Sequence, residues 1–185
     1  MAIQVYVLFL IKWGVQMKAI VYTSNTGYTK KYAEILSAKI GIPAYDSKVA
    51  NQSIAKNDEV IYMGWLKAST VVGFEKAQKE YIVKAVCAVG MGNPNDKSES
   101  TITDRHHIKD VKVFYLQGGF DISKLHGFDK FLMKIFPKIL KASAAKKDSK
   151  SDEYIEIMES IKSIKNGADF VSEANLVPVV SWLEK

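Results

Sequence analysis

A chain of 185 residues with 48% hydrophobic and 25% charged residues has the composition of an ordinary globular protein, which excludes a disordered or fibrous chain. Cys87 is the single cysteine, so no disulfide can form within the chain, which is typical of a protein in a reducing cytoplasm. The three histidines do not form a Cys/His cluster, which argues against a metal site. The charge balance is basic, with 26 Lys and Arg against 20 Asp and Glu and a formal net charge of +6.

Residues 1–16 precede the first predicted strand and contain an apolar run of about ten residues, roughly half of what a membrane-spanning helix needs. They carry neither the positive start nor the cleavage site of a signal peptide. We interpret them as an extension of uncertain status upstream of a natural start at Met17. The alternative is an extra apolar strand or helix that packs on the protein or touches a membrane. The domain prediction is therefore 17–185.

A loop of small polar residues follows the first predicted strand, Ala19–Tyr22, and leads into a predicted helix. Thr29 is a suitable N-cap for that helix, and Gly41 is a natural stop. Free backbone N–H groups and the positive end of the helix dipole meet in such a loop, so it can bind an anion. The alternative is an ordinary capped turn. The candidate residues are Ser24, Asn25, Thr26, Gly27, Tyr28 and Thr29.

Strands and helical segments alternate along the rest of the chain without repeats, which predicts a parallel α/β sheet. Helices are expected near 73–81 and 98–106, and the second strand is expected at an edge of the sheet. The four further predicted strands are Pro43–Asp46, Asp58–Gly64, Val83–Met91 and Val111–Leu116.

The loop Ser24-Asn-Thr-Gly-Tyr-Thr29 resembles the phosphate loop of flavodoxins, which binds the phosphate of FMN. The loop of this chain lacks the glycine spacing of a Walker loop and that of the dinucleotide-binding fingerprint. The turn Gly118-Gly-Phe-Asp121, the run Asp129–Lys134 and the closing Trp182 are similar to the flavodoxin-domain proteins that include the menaquinone-dependent protoporphyrinogen oxidases. The resemblance covers about residue 17 to the end. It implies a flavodoxin-like, doubly wound, five-stranded parallel sheet of order 2-1-3-4-5 with helices on both faces.

In that sheet order the ligand lies outside the carboxyl ends of the first and third strands. Trp65 follows the third strand and is the candidate to stack on the flavin ring, within the segment Gly64, Trp65, Leu66 and Lys67. The alternative is a tryptophan buried in the core. A second wall is expected from Met91, Gly92 and Asn93, which lack the aromatic side chain typical of flavodoxins. No catalytic acid or base is predicted.

The net positive charge of this chain differs from the net charge of flavodoxins, which are typically acidic electron carriers. Lys67 and the net charge would favour the anionic reduced flavin, so we expect a higher hydroquinone potential. We interpret the chain as an FMN-dependent oxidoreductase that passes electrons from a porphyrinogen-type substrate to a quinone. The alternatives are a flavodoxin-type carrier that docks on a partner protein without a small-molecule substrate, and a binding module without flavin. Nucleic acid is not expected, since no recognition motif accompanies the lysines.

Residues 124–147 combine apolar residues at helical spacing with a parallel stripe of lysines. Pro137 should kink this helix or begin a new one. Two interpretations stay open: a helix with its apolar face on the core and its lysines in water, or a basic amphipathic surface that meets anionic lipid or a quinone at the membrane interface. The expected location is cytoplasmic, with possible peripheral contact at the membrane. A last long helix, about 151–165, and an apolar closing segment, 176–183, follow.

Overall fold

The computed structural model describes residues 17–95, 97–125 and 127–184, so the predictions for 1–16 lie outside the described residues. The chain forms two compact units. The sheet unit runs to Gly118 and resumes at Val171, and the inserted unit is Gly119–Phe170. The assignment of 17–185 to one FMN-binding domain stays a prediction.

The sheet unit alternates strands and helices in the predicted order. Its strands are β1 Ala19–Thr23, β2 Ala44–Asp46, β3 Glu59–Lys67, β4 Thr70–Val71, β5 Ile82–Gly90 and β6 Lys112–Gln117. Its helices are α1 Tyr28–Ile40, α2 Phe74–Glu80, α3 Ser98–His106 and, after the inserted unit, α6 Val177–Leu183. Short 3-10 turns cover Ala50–Gln52 and Glu173–Leu176.

Five parallel strands form the sheet in the order β2-β1-β3-β5-β6. Since β4 is a two-residue strand that pairs antiparallel with β3, this order is equivalent to the predicted 2-1-3-4-5. The protein therefore has flavodoxin-like topology, and β2 lies at an edge as expected.

Apolar side chains leave the sheet on both faces, which explains why the central strands are nearly continuous apolar runs. One face packs against α1 and α6 and buries Ile20, Ile61 and Cys87. The other face packs against α2 and α3 and buries Val21 and Tyr62. Cys87 is fully buried, and burial raises the pKa of its thiol.

The third strand does not end at Gly64, as predicted, but continues into a β-hairpin. β3 continues through Trp65 to Lys67, which pairs with Thr70, and Leu66 pairs with Val71. Ala68 and Ser69 form the two-residue turn with φ of 48° and 63°, the left-handed conformation that such tight hairpins require. The prediction was wrong because Ala-Ser is not one of the dipeptides that mark these turns.

The inserted unit contains two helices between two short strands, α4 Gly127–Ala144, α5 Asp152–Asn166, β7 Gly119–Phe120 and β8 Ala168–Asp169, with a 3-10 turn at Ile122–Lys124. β7 pairs antiparallel with β8, so the insertion begins and ends on one ribbon. α4 continues through Pro137, so no new helix begins there. Within the described residues no helix has the length and apolar character to cross a bilayer.

We predict that Gly64→Ala destabilises the protein by about 1–3 kcal/mol, because an added methyl group has no room. A Cβ at residue 64 would lie 2.6 Å from Cγ1 of Val71 and 2.8 Å from the carbonyl oxygen of Val72, which is backbone of the hairpin. Urea unfolding measures the change. Gly92→Ala is the control, since its Cβ would meet its nearest neighbour, Oη of Tyr115, at 3.6 Å; equal stability of the two variants would contradict the prediction.

Candidate functional site

Three of the predicted site segments lie at one edge of the sheet. They follow β1, occupy the end of β3 and follow β5, and these strands are neighbours that run parallel. The carboxyl end of β1 carries 24–29, that of β3 carries 64–67, and that of β5 carries 91–93. The topology therefore brings together the segments that the sequence selected, although they are far apart along the chain.

The N-cap residue after β1 is Gly27 and not Thr29, and the side-chain acceptor in the loop is Ser24. Oγ of Ser24 accepts hydrogen bonds from the backbone N–H groups of Gly27, at 3.2 Å, and Lys30, at 3.3 Å. Helix α1 begins at Tyr28, directly after Gly27, whose φ is 95°. Thr29 lies inside the first turn and is 1% exposed. The prediction of Thr29 as N-cap was wrong because Gly27 takes the left-handed conformation and starts the helix earlier.

Hydrogen-bond donors remain available in this loop. A hydroxyl oxygen has two lone pairs and one proton, so Ser24, which accepts twice, keeps its O–H to donate. Among the described residues, the backbone N–H groups of Asn25, Thr26 and Thr29 and the hydroxyl of Thr26 have no hydrogen-bond partner. A Cβ built on Gly27 would meet nothing within 4 Å, so the space beside it is open. Donors around open space are what an oxyanion requires.

The first turn of α1 carries positive charge where helices prefer negative charge. It has no acidic residue and contains Lys30, with Lys31 next to it, although the dipole already makes this end positive. Helices α2, α3 and α5 each carry an acid in the first turn. Lys30 has Glu34 at 3.6 Å, and Lys31 lies 5.9 Å from the ring centre of Tyr28. A bound anion would offset the remaining positive potential.

A chain of hydroxyl groups, buried at Tyr62 and half-buried at Thr23 and Ser47, joins this loop to the hairpin. Oη of Tyr62 donates to the carbonyl of Val72 at 2.7 Å, so it accepts the proton of Thr23 Oγ1, also at 2.7 Å. Thr23 Oγ1 in turn accepts from Oγ of Ser47 at 2.8 Å. Tyr62 is fully buried, and loss of hydration raises its pKa to about 12. The chain of bonds fixes the end of β1 relative to the hairpin.

The hairpin presents the predicted ring-binding residues at different depths. Trp65 pairs with Val89 of β5 and is half-buried, so it is not one of the buried core side chains. Leu66 packs against the core on the α2/α3 face, and Lys67 is exposed. Gly64 is buried beneath the hairpin, which gives it a packing role. Stacking of Trp65 on a flavin stays a prediction.

Side chains of β6 hold the loop after β5. Oη of Tyr115 donates to the carbonyl of Gly92 at 2.7 Å, and Nε2 of Gln117 donates to Oδ1 of Asn93 at 2.7 Å. Burial raises the pKa of Tyr115 to about 12. Gly92 and Asn93 are exposed and Met91 is half-buried, so this loop can supply backbone and polar groups to a ligand but no aromatic ring.

Two cavities adjoin this edge, and the sequence analysis missed most of their lining. The larger, about 500 Å³, has an apolar floor of Leu66, Ile102 and Tyr115 and a polar rim. The rim is formed by Ser69, Asn95, Lys97, Ser98 and Thr101. The smaller, about 380 Å³, shares Asn95, Ser98 and Tyr115 with the larger and includes Asn175. No local pattern joins these residues, since they come from the hairpin, from α3 and the residues before it, from β6 and from the 3-10 turn at Glu173–Leu176.

His106 has structural contacts with the hairpin and with α2. Its Nε2 accepts a hydrogen bond from the backbone N–H of Val71 at 2.7 Å, and its ring meets that of Phe74 edge-on at 5.3 Å between ring centres. Within 17–95, 97–125 and 127–184, no three His, Cys, Asp or Glu side chains gather as a metal site. His106 thus fastens the end of α3 to the hairpin.

No protein-family model matches this chain, and neither a curated protein nor a solved structure matches it. The flavodoxin-like description of the protein therefore rests on its sheet topology.

We predict that Tyr62→Phe lowers the free energy of unfolding by about 1–3 kcal/mol, because the Thr23 hydroxyl and the Val72 carbonyl lose their buried partner. Tyr81→Phe is the matched control: Tyr81 is buried, and among the described residues its hydroxyl has no hydrogen-bond partner. Urea midpoints measure both. A Tyr62→Phe protein as stable as the control would show that the hydroxyl chain does not hold the edge together.

The hydrogen bond from Val71 to the side chain of His106 should make the free energy of unfolding depend on pH. Burial, the largest cause, and nearby Arg105 lower the pKa of His106, while Glu75 raises it. Below about pH 6.5 the unfolded chain takes up a proton that the folded His106 resists. Stability should therefore fall as pH drops below that value, and the fall should be smaller in His106→Gln. Urea unfolding from pH 5 to 8 tests this; identical pH profiles would contradict it.

Proposed function

We propose that the protein is an FMN-binding oxidoreductase. The observation that supports this most is the loop after β1, where unpartnered N–H and O–H donors surround open space at a helix end that carries lysines and no acid. A phosphate monoester is a dianion with several oxygens to satisfy, so it fits that set of donors better than a neutral group does. The loop also lies at the switch point between β1 and β3, where doubly wound sheets bind ligands.

The residues that would hold FMN divide by chemistry. The phosphate would accept from the N–H groups of Asn25, Thr26 and Thr29 and from the hydroxyls of Ser24 and Thr26. The ring would lie against Trp65, with the loop Met91–Asn93 as a second wall. Bound flavin would supply the electron-accepting chemistry; these residues would bind it, orient it and limit its contact with water.

The larger cavity favours an enzyme over a carrier. A carrier that docks on a protein needs no pocket for a small molecule, whereas a cavity of about 500 Å³ adjoins the hairpin that carries Trp65. Its apolar floor and Lys97 suit a substrate with an apolar body and an acidic group. A porphyrinogen-type substrate and a quinone acceptor, which the sequence resemblance implies, are the substrates that we propose to test first.

We predict that Thr26→Asp weakens FMN binding about fivefold or more, because a carboxylate beside the phosphate adds about 1–4 kcal/mol of repulsion at close range. The same carboxylate is favourable at a helix N-terminus, so the variant should stay folded. Ser53→Asp is the control, since it adds the same charge at an exposed residue outside the site. Titration of the apoprotein with FMN, followed by flavin absorbance and tryptophan emission, measures the affinity. Absence of FMN binding by the unaltered protein would refute the proposed function.

The same holoprotein distinguishes the enzyme from the carrier. Anaerobic incubation with a porphyrinogen and a quinone should give oxidised porphyrin and reduced quinone if the protein is an enzyme. A holoprotein that binds FMN and exchanges electrons only with a protein such as a flavodoxin reductase would favour the carrier.

A further inference from the structure

Helix α4 is apolar on two opposite sides. Ala144 is buried, and Met133, Pro137 and Leu140 are half-buried on the side that packs within the inserted unit. The opposite side exposes Phe131 at 59%, Ile135 at 37% and Ile139 at 56%. These three residues recur every four positions, so they form one stripe along the helix. A helix that only covered a core would place polar residues on this side.

A row of lysines borders the exposed stripe. At about 100° per residue, Lys138 lies roughly 20° and Lys134 roughly 60° around the helix from Phe131, and Lys130 and Lys141 continue the row. Among the residues that the structure describes, none of these four lysines forms an ion pair. We call the stripe and the row of lysines together the outer face of α4. This face is an apolar surface that carries unneutralised positive charge along one side.

We infer that the outer face of α4 binds the surface of a bilayer that contains anionic lipid. The helix has 18 residues, which is about 27 Å, and with lysines along its length it would lie in the plane of the interface. Phe131, Ile135 and Ile139 would enter the boundary between headgroups and acyl chains, and the lysines would meet lipid phosphates. This inference does not depend on the proposed function.

The chemistry of the outer face favours a bilayer over a protein partner. Its cations are all lysines, which are point charges without a preferred geometry, whereas protein interfaces favour arginine and are depleted of lysine. Mobile lipid headgroups can meet such a row in any register. A second copy of the same face would bring four more lysines to it and would be repelled.

The test is binding of the full chain to vesicles of phosphatidylcholine alone and of an equal mixture with phosphatidylglycerol, measured by co-sedimentation at low and high salt. We expect binding to the anionic vesicles, weakened by salt. Phe131→Trp should show a blue shift of its emission with those vesicles, because the indole leaves water. Equal binding to both kinds of vesicle, or no shift, would overturn the inference.

Replacing the row of lysines tests the charge. Since each lysine near an anionic surface contributes about fivefold, loss of the four should weaken binding about 100-fold or more. The variant is Lys130→Gln, Lys134→Gln, Lys138→Gln and Lys141→Gln together. The control removes four exposed lysines of the sheet unit and should bind as the unaltered chain does: Lys48→Gln, Lys56→Gln, Lys76→Gln and Lys79→Gln.

Replacing the stripe tests the apolar contact. Phe131→Ser with Ile139→Ser should weaken binding about tenfold or more, because two side chains no longer leave water. Val49→Ser with Val177→Ser is the control, since these residues are comparably exposed, at 45% and 55%, outside α4. Unchanged binding by both α4 variants would place membrane attachment elsewhere in the chain and overturn the inference. So would self-association that requires Phe131 without any vesicle binding.

Discussion

The hydroxyl of Tyr62 holds three segments of the sheet edge to one another. It is fully buried, it receives the proton of Thr23 at the end of β1, and it gives its own proton to Val72 behind the hairpin. Because Tyr62 is removed from water, losing its hydroxyl would leave the Thr23 hydroxyl and the Val72 carbonyl without their buried partner. The polar loop and the segment with Trp65 are therefore positioned by a shared interaction, although 39 residues separate Thr23 from Tyr62.

Electrostatics add a second constraint at the same edge. Helices α2, α3 and α5 begin with an acid that balances the dipole, whereas α1 carries lysines and keeps unpartnered donors. Such an arrangement lowers the stability of the empty loop slightly and raises its affinity for an anion. A loop that served only as a turn would gain from an Asp or Glu at this position. The choice of residues thus agrees with a ligand that brings the negative charge itself.

The fold was predictable because its signals are local. The runs that became β1, β5 and β6 are apolar on both faces, and the helix at Ser98–His106 has the predicted bounds. The polar loop was predictable for the same reason, since its residues are adjacent. The hairpin was missed because Ala68-Ser69 reaches positive φ without glycine, and Thr29 was chosen over Gly27 because a hydroxyl residue is the commoner cap. The cavities were missed because Leu66, Ile102 and Tyr115 meet only in three dimensions.

The paired strands β7 and β8 make the inserted unit a modular addition. Because Gly119 pairs with Asp169 and Phe120 with Ala168, the chain departs and returns at neighbouring positions. The entropic cost of closing whatever lies between then grows only slowly with its length, by about 0.6 kcal/mol for each doubling. Evolution could lengthen, shorten or exchange the two helices while the register of the parallel sheet stayed the same, and a protein engineer could graft another helical pair onto the same two strands.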